Sequence, residues 1–248
     1  DTDVTPDAGK TSASRQTYVT GMAAKRAGES LRREILRRVN LSETAEVSFS
    51  PRKITVSDPD SRAVIKLEGL EENEFGYVLM AEETYDPPTE PLDEKGQGKP
   101  YAVYGYGAQL AELSVDTELG TVKLTRITAA HDVGRAINPL LVEGQIEGGI
   151  AQGIGMALME DYVPGQTENL HDYLIPSIGD IPEIVPIIVE VKEPQGPFGA
   201  KGLGEHVLIP TAPAILNAIH HATGAFVRDL PATPDKVRAA ILDAGKGS

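Results

Sequence analysis

The chain has 248 residues, of which 40% are hydrophobic and 24% charged, so it can bury the core of one large domain or two modest ones. A formal net charge of -14 argues against a nucleic-acid backbone or an anionic membrane surface as a partner. Because the chain has no cysteine, disulfides, thiolate zinc sites and thiolate-bound iron–sulfur clusters are excluded within it. The sequence has no run of about 18 apolar residues and no recognisable signal peptide, so we expect no membrane span and a cytoplasmic protein.

The first hundred residues predict one helix and several short strands. Apolar residues at helical spacing among Ala, Glu, Leu and Arg favour a helix over residues 21–39. Short alternating runs separated by Pro, Asp and Ser predict two or three strands within residues 45–66, and residues 77–85 predict another strand. The prolines and glycines of residues 86–100 indicate a loop.

The remainder of the chain predicts further strands and three helices. A hairpin is expected over residues 108–129, where two alternating runs flank a turn that ends in glycine. Residues 139–162 have helical periodicity, whereas the prolines of residues 173–194 forbid a helix and favour extended or edge strands. Two amphipathic helices are expected over residues 212–224 and 233–245. Mixed strands with packed helices make the predicted fold class α+β.

The helix expected after residue 139 contains five glycines, each of which costs a helix about 0.5–1 kcal/mol relative to alanine. On such a helix Gln145, Gly149, Gln152 and Met156 fall on one stripe, where amide side chains lie beside bare backbone. A surface of this kind suits a polar ligand that approaches closely. It equally suits tight packing onto a neighbouring segment, and the sequence leaves both interpretations open.

The segment "HDVGRAINP", residues 131–139, places a histidine and an aspartate at the end of a predicted strand. Neighbouring strand residues point to opposite faces, so His131 and Asp132 are poorly placed to share one ion. A structural turn with hydrogen bonds between side chains and backbone is therefore favoured over a catalytic or metal-binding pair.

The segment "SASRQTYVTG", residues 12–21, places small hydroxyl residues and backbone amides just before the first helix. Helix N-termini with exposed N–H groups bind anions, especially phosphates. Capping of the helix by Ser14 or Thr17 explains the same residues and, taken alone, is the favoured interpretation.

The segment "PFGAKGLGEHVLIP", residues 197–210, places Glu205 between a glycine-rich loop and an apolar run. Small residues allow the backbone to approach a ligand closely, and a carboxylate in apolar surroundings suits a general base that works near neutral pH. The alternative is a glutamate whose charge complements a helix dipole.

Taken together, these segments resemble the molybdenum hydroxylase family, which includes xanthine dehydrogenase, aldehyde oxidoreductase and nicotinate dehydrogenase. The motifs "TSASRQTYVTG", "GGIAQGIG" and "GAKGLGE" follow one another as in the C-terminal part of the molybdopterin-binding subunit. The match extends over nearly the whole chain. It assigns residues 1–100 to a first molybdopterin-binding subdomain and residues 101–248 to a second one that carries the glutamate loop.

The resemblance implies a role for individual residues. Glu205 matches the catalytic base, and Phe198 is a candidate for stacking on the substrate. Ala13 is expected beside the molybdenum, although it has no ligating side chain. The residues expected to contact the cofactor are Ser12, Ala13, Ser14, Arg15, Gln16, Gly149, Gln152, Gly153, Ala200, Lys201, Gly202, Leu203 and Gly204.

The same resemblance implies a reaction and a cofactor. In such enzymes a molybdenum-bound hydroxide attacks an electron-poor carbon, and Glu205 is expected to remove the proton from that hydroxide. The implied cofactor is molybdenum with molybdopterin, expected in the cytosine dinucleotide form. The implied substrate is an aromatic N-heterocycle of the nicotinate or purine type. An aldehyde-oxidising relative and a non-catalytic assembly subunit are the alternatives.

Partner chains are implied as well. The family's molybdenum subunit normally continues far upstream of the matching segment, and this chain most resembles the medium subunit of enzymes in which that protein is split. We therefore expect a larger molybdopterin subunit, a 2Fe-2S subunit and an FAD subunit as partners. The opening "DTDVTPDAGK" has no initiator methionine and is interpreted as an entry in mid-domain, with a disordered tail as the alternative.

Overall fold

The structure of the protein is a computed structural model that describes residue 3 and residues 5–245. Its internal contacts divide the chain into two compact units. The small unit comprises Tyr18–Thr89, and the large unit combines Asp1–Thr17 with Glu90–Ser248. The expected assignment of residues 1–100 and 101–248 to two molybdopterin-binding subdomains stays a prediction.

The small unit contains most of helix α1 (Gln16–Val39) and a three-stranded antiparallel sheet. Strands β1 (Glu46–Ser50), β2 (Lys53–Ser57) and β3 (Arg62–Lys66) follow one another as a meander, which confirms the predicted strands. The core of this unit forms where the apolar stripe of α1 packs on the sheet. It contains Ile35, Leu36, Ala45, Ile54 and Val56.

The strand predicted over residues 77–85 was wrong, because this segment is irregular. A strand requires a neighbouring strand for its backbone hydrogen bonds, and here side chains bind the backbone instead. The Tyr77 N–H donates to Asn73 Oδ1 at 2.9 Å, and the Thr84 carbonyl accepts a hydrogen bond from Arg26 at 3.2 Å.

The sheet of the large unit has the strand order β4-β5-β6. Strands β4 (Gly107–Val115) and β5 (Val122–Asp132) form the predicted antiparallel hairpin, whose turn ends at Gly120 with a φ of 77°. Strand β6 (Glu183–Val189) pairs with β5 in parallel. It lies at the edge of the sheet, which explains why it tolerates Pro186, a residue without an N–H to donate.

Three helices cover this sheet: α2 (Pro139–Leu158), α3 (Thr211–Thr223) and α4 (Pro234–Gly245). Helix α2 begins with Pro139 in the first turn, and the Asn138 side chain accepts a hydrogen bond from the Leu141 N–H at 3.2 Å. Helix α3 ends at Gly224, which has a left-handed φ of 73°. The α+β class is thus confirmed.

The core of the large unit lies between α2, α3 and the sheet. Helix α2 contributes fully buried isoleucines at every fourth position, a spacing that places them on one face. Burial of each such side chain stabilises the fold by about 1.5–3 kcal/mol. The largest buried apolar side chains here are Ile127, Ile146, Ile150, Ile154, Ile215 and Ile219.

Replacement of two glycines of α2 by alanine is expected to change stability in opposite directions. A Cβ atom on Gly153 would overlap the Thr211 side chain, whereas a Cβ atom on Gly144 would have no atom within 4 Å. We expect Gly153→Ala to lower the free energy of unfolding by about 1–3 kcal/mol through overpacking. Gly144→Ala should raise it by about 0.5–1 kcal/mol, because alanine favours the helix. Urea unfolding of the two variants measures both values, and shifts in the same direction would contradict this packing.

Candidate active site

The site is built around residues 200–208, which we call the base loop. The base loop begins beside the turn that follows β5, where the Lys201 N–H donates to the Val133 carbonyl at 2.9 Å. It then runs along α2 and leads into α3. A Cβ atom on Gly149 would lie 2.8 Å from Val207 Cβ, so the helix has a glycine where the loop crosses it. Of the two interpretations of this glycine, close packing onto a neighbouring segment is the one seen.

Ser14 and Glu205 form a pair of reciprocal hydrogen bonds, although they are 191 positions apart in the sequence. The Ser14 N–H donates to Glu205 Oε2 at 2.6 Å, and the Glu205 N–H donates to Ser14 Oγ at 2.5 Å. These bonds fix both the backbone and the carboxylate of Glu205. Two of the three predicted motifs therefore meet at one point.

The backbone around Ser14 is strained to make this contact. Ala13 and Ser14 have φ values of 53° and 57°, a left-handed conformation that costs non-glycine residues roughly 1–2 kcal/mol each. Gly202 lies against the Ser14 carbonyl, so closely that a Cβ atom at this position would overlap it. A glycine is thus required at Gly202 for the two loops to touch. The helix-capping interpretation of Ser14 is not what the structure shows, since its hydroxyl accepts from Glu205.

Glu205 is exposed, which corrects the apolar surroundings expected for it. The apolar run that follows does not enclose the carboxylate: Val207 is buried in the core, and Ile209 is 67% exposed. The hydrogen bond from Ser14 holds the carboxylate, and its exposure leaves it accessible to a ligand.

Lys201 is held inside the protein, although the sequence predicted contact with a cofactor. Its ammonium group lies 2.6 Å from Asp132 Oδ2 and 3.0 Å from the Tyr104 carbonyl, and the side chains of Lys201 and Asp132 are each only 8% exposed. Burial alone would raise the pKa of Asp132. The Lys201 ammonium and the N–H groups of Gly134 and Val191 outweigh this effect and hold that pKa below its usual value.

The predicted structural turn at residues 131–139 is confirmed, because Asp132 Oδ1 accepts a hydrogen bond from the Gly134 N–H at 2.9 Å. The neighbouring His131 is fully buried. Within residue 3 and residues 5–245, no group of three or more His, Asp and Glu side chains is arranged to hold a metal ion.

The remaining predicted residues fall into three groups. Ala200 and Leu203 are buried, so their side chains belong to the interior of the unit. Phe198 is 60% exposed and has a left-handed φ of 55°. Residues 12–16 form the strained loop, in which the Arg15 N–H donates to the Ser12 carbonyl at 3.3 Å and Gln16 Nε2 donates to Thr11 Oγ1 at 3.1 Å.

Two cavities open beside the base loop, one on each side of the point where it crosses α2. A cavity of about 270 Å³ includes Gln145, Gly204 and Lys201 in its lining. The second, of about 540 Å³, is lined by Gln152, Met156 and Leu208 among others. Gln152, on helix α2, thus lies beside the loop that carries Glu205. The structure gives no direct contact between the two side chains.

Two residues of this region were missed as site residues by the sequence analysis. Gln145 Oε1 would lie 3.3 Å from a Cβ atom on Gly204, and its place on the α2 stripe was the available signal. Gln109 Nε2 donates to the Val207 carbonyl at 2.8 Å, and only its polar character in a partly buried strand could have indicated it.

The buried ion pair makes a stability prediction. Lys201→Met leaves the Asp132 carboxylate buried without its partner, so we expect the free energy of unfolding to fall by about 3–5 kcal/mol. Chemical denaturation measures the loss. The exposed Lys123 of β5 provides the control Lys123→Met, which should change stability by less than about 0.5 kcal/mol. Equal effects of the two variants would contradict the role given to Lys201.

The buried imidazole of His131 makes a prediction about pH. Burial, and to a smaller extent the nearby His206, lowers the pKa of His131 to about 4. An unfolded histidine has a pKa of about 6.5, so below this pH the unfolded chain binds a proton that the folded chain excludes. The free energy of unfolding is therefore unaffected by His131 above about pH 6.5. It falls by roughly 3 kcal/mol as the pH decreases from there towards the folded pKa of His131. The free energy of unfolding, measured by chemical denaturation from pH 7 to pH 4, should therefore decrease less with falling pH for His131→Phe than for the parent protein.

No helix in the described part of the chain combines the length and the apolar character needed to cross a bilayer.

Comparisons with known proteins connect this site to a family. The model of the molybdopterin cofactor-binding domain matches residues 1–182. The xanthine dehydrogenase molybdenum-binding subunit of Escherichia coli O157:H7 is 34% identical over 251 residues, covering 96% of this chain and 32% of that protein. The 6-hydroxypseudooxynicotine dehydrogenase complex subunit gamma of Paenarthrobacter nicotinovorans is 32% identical over 253 residues, covering 96% of this chain and 31% of that protein.

A solved structure agrees with these matches. The aldehyde oxidoreductase from Desulfovibrio desulfuricans ATCC 27774 superposes with a TM-score of 0.78 at 34% identity, over 96% of this chain and 24% of that one. The chain therefore spans about a third or less of the length of these relatives. Family model, relatives and fold agree with the resemblance of the motifs, and the chain belongs to the molybdenum hydroxylase family as a segment that contains its molybdopterin cofactor-binding domain.

Proposed function

We propose that this chain is the molybdopterin-contacting, base-bearing part of a multi-subunit molybdenum hydroxylase. The complex hydroxylates an aromatic N-heterocycle of the nicotinate or purine type with oxygen derived from water. Glu205 is the general base. The activity is that of the whole complex, and this chain contributes one part of its active site.

The observation that carries the proposal is the reciprocal hydrogen bonding of Ser14 and Glu205. A carboxylate that is exposed and nevertheless fixed at both its backbone and its side chain is suited to act on a bound reactant. A glutamate that only complemented a helix dipole would not require two strained residues, Ala13 and Ser14, to hold it.

The surface beside Glu205 is chemically suited to a pterin cofactor. Gln145 and Gln152 are both exposed and carry amides, which supply hydrogen-bond donors and acceptors to a heterocyclic ring. Between them, a Cβ atom on Gly148 would have no atom within 4 Å, so the helix backbone is open to close approach. We propose that Gln152 and the loop of residues 12–16 hold the cofactor, with Ala13 nearest the molybdenum. The packed positions Gly149 and Gly153, and the base-loop residues from Ala200 to Gly204, support this surface from behind.

The contribution of this chain to the reaction is a proton transfer. When bound, the molybdenum cofactor supplies the oxidation chemistry and accepts two electrons from the substrate. Glu205 accepts on its carboxylate the proton that leaves the water-derived nucleophile. The Ser14 N–H orients the carboxylate for this transfer, and Phe198, exposed near the start of the base loop, is proposed to stack on the heterocycle.

The proposal includes the rest of the assembly. The cofactor is proposed in its cytosine dinucleotide form. The iron–sulfur cluster is placed on a partner chain because this chain has no cysteine for cluster ligation, and FAD is proposed on a further partner chain. A larger molybdopterin subunit completes the pocket, and the complex is cytoplasmic. The relative from a 6-hydroxypseudooxynicotine dehydrogenase complex supports a nicotine-like heterocycle, whereas the superposed aldehyde oxidoreductase favours an aldehyde as the second candidate.

Replacement of the base tests this function. In the assembled complex, Glu205→Gln should lower kcat by at least about a thousandfold, because the amide cannot accept the proton. Molybdenum content and released pterin should be unchanged. The control is Glu118→Gln, an exposed glutamate in the turn of the β4–β5 hairpin, which should retain full activity.

Three results would contradict parts of the proposal. Substantial turnover by Glu205→Gln would remove Glu205 as the base. A purified complex without molybdenum or pterin would favour the non-catalytic assembly subunit. Oxidation of aldehydes without hydroxylation of nicotinate or hypoxanthine would replace the proposed substrate class by the second candidate.

A further inference from the structure

We propose that Gln109 and His131 are positioning residues for Glu205, through a partly buried hydrogen-bonded link to the backbone of Val207. Neither residue belongs to the proposed cofactor or substrate contacts. The inference rests on the proposed function of Glu205 as the base and adds two residues that act on it from inside the protein.

The link consists of two hydrogen bonds that share one amide group. Gln109 Nε2 lies 2.8 Å from the Val207 carbonyl oxygen and 3.2 Å from His131 Nε2. Val207 follows Glu205 by two positions, and the same carbonyl also accepts from Thr211 Oγ1 at 3.4 Å. Strand β4 therefore holds the far side of the base loop, while Ser14 holds Glu205 itself.

The geometry determines the orientation of the amide and the tautomer of the histidine. A backbone carbonyl only accepts hydrogen bonds, so the NH₂ group of Gln109 must face Val207. Its second N–H then points at His131 Nε2, which must accept. A neutral imidazole that accepts at Nε2 carries its proton on Nδ1, so the Val207 carbonyl and the contact between Gln109 and His131 together assign this tautomer.

The interior is shaped to admit these polar groups. His131 is fully buried and lies over Gly107, its partner in the β4–β5 ladder, where a Cβ atom would lie 2.5 Å from His131 Nδ1. His206 lies in the same way over Gly105, where a Cβ atom would lie 2.9 Å from His206 Nε2. The two rings have their centroids 5.6 Å apart. Both glycines thus provide space for an imidazole, that of His131 from strand β5 and that of His206 from the base loop.

This cluster is unfavourable for stability alone. Gln109 Oε1, His131 Nδ1 and His206 Nε2 are buried and have no hydrogen-bond partner among the described residues. A buried polar atom without a partner lowers stability, whereas apolar side chains of similar size would fill the same space without this loss. The bonds that Gln109 does make, to the Val207 carbonyl and to His131, offset part of this loss and hold the loop.

Burial keeps His131 neutral, and the nearby His206 adds a smaller effect in the same direction. His206 faces it from the base loop, and the Lys201–Asp132 ion pair lies next to it in sequence and space. Burial lowers the pKa of both His131 and His206. A neutral His131 preserves its acceptor atom Nε2 for Gln109.

The test uses the assembled, molybdenum-loaded complex with nicotinate or hypoxanthine as the substrate. Gln109→Leu removes both hydrogen bonds and should lower kcat per molybdenum about tenfold, because misplacement of a catalytic group by a fraction of an ångström slows the reaction. His131→Phe keeps a ring over Gly107 and removes only the acceptor, so a smaller loss of about threefold is expected. KM should stay within about twofold in both, since neither residue touches the substrate. The control is Gln166→Leu, an exposed glutamine, with unchanged kcat.

A double-variant measurement separates positioning from general damage. The rate at which excess substrate reduces the molybdenum-loaded enzyme should be the same for Glu205→Gln and for the double variant Glu205→Gln/Gln109→Leu. The carboxylate that Gln109 positions is absent from both. A further tenfold loss in the double variant would overturn the inference. So would unchanged kcat per molybdenum in Gln109→Leu, or in His131→Phe if Gln109→Leu fails to assemble. Full activity of Glu205→Gln alone would instead overturn the proposed function.

Discussion

A valine and a threonine side chain occupy the space that Gly149 and Gly153 leave open on helix α2, and the rest of the site depends on this close contact. It brings the base loop down onto the helix and seals the core formed by the isoleucines of α2 and α3. With the loop in this place, Glu205 emerges at the surface within reach of Ser14. The intrinsic weakness of a helix with glycines is thus offset by the packing that they permit.

The base loop is then held by polar contacts at three points along its length. Lys201 anchors its start to Asp132 in a pair shielded from water, Ser14 binds Glu205 in the middle, and Gln109 binds the carbonyl of Val207 at its end. Such contacts are directional, in contrast to apolar packing, so they specify where a carboxylate lies rather than only that the loop is covered. The role of general base proposed for Glu205 requires this kind of placement.

Local patterns predicted the elements well where their periodicity was strong. The hairpin ending at Gly120, the meander of the small unit and the prolines of the edge strand β6 followed from turn chemistry and alternation. The segment 77–85 had the composition of a strand and failed, because strand formation depends on a partner that composition does not reveal. For Lys201, the cofactor contact indicated by the motif stays a prediction, and the structure adds the bond of its ammonium group to Asp132.

By itself, the sequence determined the α+β class, the molybdenum hydroxylase family and the candidates Ser14, Gln152 and Glu205, because each leaves a signal in a short stretch of residues. Only the tertiary structure decided which of them meet. Ser14 and Glu205 are 191 positions apart, and Gln109 and Val207 are 98 apart, so no local pattern records their hydrogen bonds. The packing of the loop onto α2 sets these distances, and it depends on the shapes of side chains from several elements at once.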